Sequence, residues 1–136
     1  MISDIWLRAA QRGDLNRIKM MNKGLSLLDI NCVTCLGQSG LMLAIAGKHK
    51  IVIKYLIKLN CDLNVCDSRG ESALSLALRN ENFILSEYLY NKGCRVSSKC
   101  SKKIRDMEVE LIKRINNWKT AKYVIYTYLK QKINLI

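Results

Sequence analysis

The chain of 136 residues has one histidine, one phenylalanine and no proline. A lone histidine without a matched nucleophile argues against a hydrolytic triad. Without proline, no turn gains rigidity from a locked φ. Acidic residues are scarce, 11 against 23 basic ones, giving a formal charge of +12. Of these acids, Glu108 and Glu110 are read as part of a solvated helix face, not as an acid/base pair. The glycines form no phosphate cradle, because Gly37-Gln38-Ser39-Gly40 lacks the length and the lysine of a P-loop. No apolar run reaches the roughly 18 residues of a membrane span. The start, Met1-Ile2-Ser3-Asp4, shows neither the basic region nor the apolar core of a secretory signal. The expected location is therefore the cytoplasm or the nucleus. These absences together point away from an enzyme and toward binding, with no cofactor and no metal.

The hydrophobic fraction, 49%, is that of a folded chain with a core. The positive charge implies an acidic partner, nucleic acid or an anionic surface, and salt-sensitive association. Six cysteines suit a reducing compartment, where they stay thiols. Cys32 and Cys35 have the spacing of a metal or redox pair, and Cys66 and Cys100 on successive hairpins could add ligands. Neither of these forms a second Cys-x-x-Cys, and His49 lies elsewhere in its segment. Thiols that serve hairpin packing are therefore favoured over zinc.

The strongest signal is self-similarity at 33 residues. Gly37 recurs as Gly70, Leu41 as Leu74, Ala44 as Ala77, Leu56 as Leu89 and Cys61 as Cys94. Asp29-Ile30-Asn31 recurs as Asp62-Leu63-Asn64. Such a period marks stacked units that bury their apolar faces only against neighbours. Each unit reads as a turn and two helices. Leu41, Leu43, Ala44 and Ile45 open an inner helix, and Ile51, Val52, Tyr55, Leu56 and Leu59 fall at helical spacing on an outer one. The next unit repeats this with Leu74, Leu76, Ala77 and Leu78, then Phe83, Ile84, Tyr88 and Leu89.

These segments resemble ankyrin repeats. Asp67-Ser68-Arg69-Gly70-Glu71-Ser72-Ala73-Leu74-Ser75-Leu76-Ala77 follows the opening of that pattern. Lys48-His49-Lys50-Ile51-Val52-Ile53 keeps its middle, and Leu56-Ile57 with Cys61-Asp62-Leu63-Asn64 its end. A first unit keeps Ala9-Ala10, Gly13-Asp14-Leu15 and Leu28-Asp29-Ile30-Asn31, with an outer helix and loop two residues longer. The resemblance covers about residues 4–100. It departs where the pattern's turn proline is Gly40 or Ala73 and its histidine is Met42 or Ser75. Losing a rigid turn and a hydrogen-bonding side chain predicts a less stable stack.

The resemblance implies an all-α, ankyrin-type helix–turn–helix solenoid with short β-hairpin-like connections. One domain spans 1–136, with units at about 1–33, 34–66 and 67–99. Beyond Ser101 the phase fails. Ile104, Met107, Leu111, Ile115 and Trp118 form one helical stripe; Ala121, Val124, Ile125, Tyr128 and Leu129 form another. The prediction is a pair of helices over about 100–136 that caps the stack, with lysines in water and aromatics buried.

By the same resemblance, partners bind at hairpin tips and along the concave face of the inner helices. The corresponding positions are Gln11, Arg12, Leu36, Gln38, Ala46, Ser68, Arg69, Glu71, Arg79, Asn80 and Lys99. Arg12, Arg69, Arg79 and Lys99 make that surface modestly basic, and arginine pairs well with carboxylates. The expected partner is another protein with an acidic or mixed surface, bound by a monomer. The alternative is a nucleic-acid or anionic-surface binder acting through Lys102, Lys103, Arg105, Lys113, Arg114, Lys119 and Lys122. Tyr123, Tyr126, Tyr128 and Trp118 are interleaved with that charge. The richness in isoleucine, lysine and asparagine, with no proline, points to an AT-rich genome such as that of a large DNA virus or a parasite.

Overall fold

Seven helices form among the residues that the computed structural model describes, 2–24 and 28–134. The first six pair into three helical units: α1 (Ile2–Arg12) with α2 (Leu15–Gly24), α3 (Gly40–Ala46) with α4 (Lys50–Lys58), and α5 (Ala73–Arg79) with α6 (Phe83–Asn91). Each outer helix packs on its own inner helix, and the inner helices α1, α3 and α5 pack in series. Ala10, Ala44 and Ala77 are fully buried where inner helices approach, and small side chains permit that approach. Trp6, Ile18, Ile45, Leu56, Leu74, Leu78 and Leu89 fill the layers around them. The all-α solenoid that the resemblance implied is the observed fold. The first unit's outer helix is one residue longer than the others, and the expected longer loop after it includes 25–27, which lie outside the described residues.

Local chemistry explains where the inner helices start. The Ser39 hydroxyl accepts from the Met42 N–H at 3.3 Å. Ser72 does the same for Ser75 N–H, while the Ser75 hydroxyl accepts from the Ser72 N–H at 2.7 Å, completing a capping box. Ser75 thus supplies a polar side chain at the position where the sequence reading expected a lost hydrogen bond. Its hydroxyl also lies 2.6 Å from the Glu71 carboxylate. Met42 offers no such substitute, so the loss stands in the second unit.

The connections are hairpin-like. Val33 and Ser39 form an isolated antiparallel bridge. Thr34 N–H donates to the Gln38 carbonyl, as Asp67 N–H does to that of Glu71, each at 2.9 Å. Thr34 Oγ1 and Asp67 Oδ1 each accept two backbone N–H groups inside their own turn. Gly37 and Gly70 sit at φ +80° and +78°. A Cβ on Gly37 would lie 3.2 Å from the Asp67 Cα, and one on Gly70 2.9 Å from the Lys99 Cβ. The next turn of the chain presses on each tip, which is why glycine recurs there.

Side chains also tie one unit to the next. Asn31 Oδ1 accepts from Asp62 N–H at 2.7 Å, and its counterpart Asn64 accepts from Arg95 N–H at 2.8 Å. His49 Nε2 donates to the Gln11 carbonyl at 2.9 Å, joining the second unit to the end of α1.

The C-terminal helical pair is not found. One helix, α7 (Lys102–Asn134), runs 33 residues without a break. Asn116 and Asn117 cost only about 0.7 kcal/mol each in a helix, and no glycine or proline interrupts the segment. Its first half is the cap: Ile104, Leu111 and Ile115 are buried against α5 and α6. Glu108 is not merely solvated, because its carboxylate accepts from the Val96 N–H at 3.0 Å and ties α7 to the last turn of the stack. Glu110 lies 3.8 Å from Arg114 on the outer side. The expected burial of the C-terminal aromatics is also overturned: Trp118, Tyr123, Tyr126 and Tyr128 are all exposed. The stack ends before they are reached.

Two expectations follow for stability. Lys48 and Glu81, one period apart, hold φ of +60° and +55° at the turn where the first unit has Gly13. The doubly substituted Lys48→Gly/Glu81→Gly protein should gain about 1 kcal/mol in urea unfolding, since a left-handed non-glycine residue costs about 1–2 kcal/mol. Leu111→Ala should lose about 2–5 kcal/mol in the same assay. Ile125→Ala, on the exposed half of α7, should stay within about 0.5 kcal/mol of the parent.

Candidate functional site

The hairpin tips form a row. Ser68 N–H donates to the Leu36 carbonyl at 2.9 Å, joining the tips of the second and third units. Lys99 lies against Gly70 at the next step. Backbone contact therefore fixes the order Leu36, Ser68–Arg69, Lys99 along one edge. All four side chains are exposed, and Leu36 exposes 48% of its surface, much for an aliphatic residue at a tip. Gln38 is half-buried beside them.

The remaining sequence-derived positions lie at the ends of inner helices or elsewhere. Gln11, Ala46, Arg79 and Asn80 are exposed at the C-terminal ends of α1, α3 and α5. Gln11 also gives its carbonyl to His49. Glu71 and Arg79 come together as an ion pair, with the carboxylate largely buried and the guanidinium half-exposed. That pairing leaves Arg79 less available than Arg69 for a partner carboxylate. Arg12 does not join the tips. It lines a shallow depression with Ile5, Arg8, Ala9, Asp14 and Arg17 at the free face of the first unit.

The basic residues of α7 do not make one track. Lys102, Lys103, Arg105, Lys113, Arg114, Lys119 and Lys122 are exposed, and at 100° per residue they fall on all sides of the helix. Arg114 sits over the Phe83 ring at 5.4 Å. The sequence reading also missed a groove of about 440 Å³ between α4 and α6, lined by Lys54, Lys58, Lys92, Tyr88, Cys61 and Leu63. The signal was there in Lys50, Lys54 and Lys58, spaced four apart on α4.

The cysteines are free among the described residues. Burial pushes the thiols of Cys61 and Cys94 up to about 11, with Asp62 adding to the effect on Cys61 and Cys61 to that on Cys94. Burial also raises Cys32. No three His, Cys, Asp or Glu side chains among the described residues gather as a metal site. Among these residues, no helix is long and apolar enough to cross a membrane.

A model of the family described as ankyrin repeats, in three copies, matches residues 6–100. The chain belongs to the ankyrin-repeat family. This family is typically non-enzymatic and binds other proteins. No curated protein matches the chain. A chain in the solved complex of a predatory endopeptidase from Bdellovibrio bacteriovorus with an immunity protein is similar, at 29% identity and a TM-score of 0.59. The likeness covers 68% of this ankyrin-repeat chain and 47% of the solved one, so it spans about half of that relative.

Thiol labelling tests the burial pattern. At neutral pH, Cys35 and Cys66 should react quickly, whereas Cys61 and Cys94 should react only as the stack unfolds; mass spectrometry of the labelled peptides assigns each. The two raised thiols are neutral in the folded chain, so their stabilising effect is complete below the unfolded value of 9.0. Denaturation midpoints should therefore fall as pH rises from 9 toward about 11, as the unfolded state loses protons that the folded state retains.

Proposed function

We propose that this ankyrin-repeat chain is a non-enzymatic, monomeric interaction module that binds a protein with an acidic or mixed surface through its hairpin tips. The observation that carries this reading is the ordered row of Leu36, Arg69 and Lys99, held by Ser68–Leu36 hydrogen bonding and by the packing of Lys99 on Gly70. A pre-ordered edge loses little conformational freedom on binding. Leu36 offers an apolar anchor, and Arg69 a planar donor for a partner carboxylate. The structural relative is drawn from a complex of two proteins, which fits this use of the fold. Reduced thiols and a reducing cytoplasm suit each other. The scatter of basic residues around α7 disfavours the nucleic-acid alternative, because a phosphate backbone is matched by charge along one face.

Affinity capture with the whole chain after nuclease treatment tests this. The expected result is a protein partner retained by the parent and lost, by at least about tenfold, from the Leu36→Asp/Arg69→Glu/Lys99→Glu variant, since each tenfold step is about 1.4 kcal/mol. Arg79 is left intact because reversing it would set two carboxylates side by side with Glu71. Capture that vanishes with nuclease, or that the variant leaves unchanged, overturns the reading.

A further inference from the structure

The second half of α7 is a surface without a partner in the fold. The stripe that buries Ile104, Leu111 and Ile115 continues, in the same helical phase, through Trp118, Ile125, Leu129 and Ile133. Those four expose 63%, 55%, 53% and 69% of their surface. Tyr128, at the edge of the stripe, and Val124, on the side away from it, are exposed as well. At 100° per residue the apolar side chains of this half span roughly 260° of the helix. The remaining strip holds Asn116, Thr120, Thr127 and Gln131, and both threonine hydroxyls donate back to the carbonyls four residues earlier. Apolar side chains thus reach most of the circumference, interrupted by lysines, and that much exposed apolar surface on one helix is built to be covered.

Charge selects the enclosing surface. Residues 111–136 contain Lys113, Arg114, Lys119, Lys122, Lys130 and Lys132, and no aspartate or glutamate. Of the lysines from 119 onward, Lys119, Lys130 and Lys132 flank the apolar stripe and Lys122 lies within it; none is opposite it. A helix lying on a lipid surface keeps its cations on a separate polar face, and here that face is narrow and uncharged. A nucleic-acid backbone would leave the aliphatic stripe uncovered. A second copy would bring six cations against six. We propose that residues 118–133 dock into a groove of a partner protein that has an apolar floor and aspartate or glutamate at its rim. This surface is separate from the hairpin tips and does not depend on them.

Trp118 reports the test, because Trp6 is fully buried and Trp118 is not. The probe is a synthetic helix–loop–helix peptide of leucine and glutamate whose two helices frame such a groove, added to the full chain. Binding should shift the Trp118 emission to the blue, and the Trp118→Phe chain should show no shift. Affinity should fall at least about tenfold in Lys119→Glu/Lys130→Glu, which lie together at one side of the stripe, and should weaken from 50 to about 200 mM salt, as screened charge pairs do. The Leu36→Asp/Arg69→Glu/Lys99→Glu variant should bind the probe like the parent, so loss of either surface is read separately. Circular dichroism checks that the variants keep their helices. No shift with the peptide overturns the proposal. So does an equal shift with vesicles one-third phosphatidylserine or with a single-stranded DNA 20-mer. A shift on concentrating the chain alone would make a second copy the occupant and overturn it too.

Discussion

Everything in this molecule depends on one packing constraint: an inner helix cannot cover its own face. Ala44 lies on α3, packed between α1 and α5, and Ala77 on α5, packed between α3 and α7, and both are fully buried. The same dependence acts at the tips, where Gly37 receives Asp67 and Gly70 receives Lys99. It acts again in the side-chain ties of Asn31 and Asn64, each reaching a backbone N–H in the following unit. Three separate contacts thus repeat with the period, and each crosses a boundary between units. The stack behaves as a chain of nearest-neighbour interfaces, in which cooperativity comes from the joints.

That constraint also explains the start of α7. The third unit presents the same open face as the others, and no fourth unit follows to close it. Ile104, Leu111 and Ile115 take that place, while Glu108 accepts the N–H of Val96. The cap is therefore a substitute neighbour, made from a helix whose sequence no longer keeps the repeat.

The repeat was legible because periodic burial writes periodic residues: Leu41 with Leu74, Cys61 with Cys94. Other features left weaker traces. Ser75 lost the consensus histidine yet kept a hydrogen bond, because a short hydroxyl can reach the same backbone as a longer ring. Glu108 was read with Glu110 as one solvated face, although residues two apart on a helix point to different sides, and its bond to Val96 needed the packed structure to be seen. The two apolar stripes after Ser101 implied two helices. Asparagine at 116 and 117 is too weak a breaker to divide them, and spacing alone does not say where a covering surface ends. The candidate tips were legible as positions in a repeat, but the pairing of Arg79 with Glu71 needed side-chain geometry.

The unbroken length of α7 has a mechanical consequence. At 1.5 Å per residue its 33 residues make a rod of about 50 Å, and the part beyond the cap is roughly half of it. A rod clamped at one end by a packed core acts as a spacer. It holds its far half at a set reach and bearing from the hairpin row, which a flexible segment would not do. If both the hairpin row and this far half bind, the two events are coupled by geometry: a partner, or pair of partners, whose sites match that reach gains a high effective concentration, and one whose sites do not match gains none.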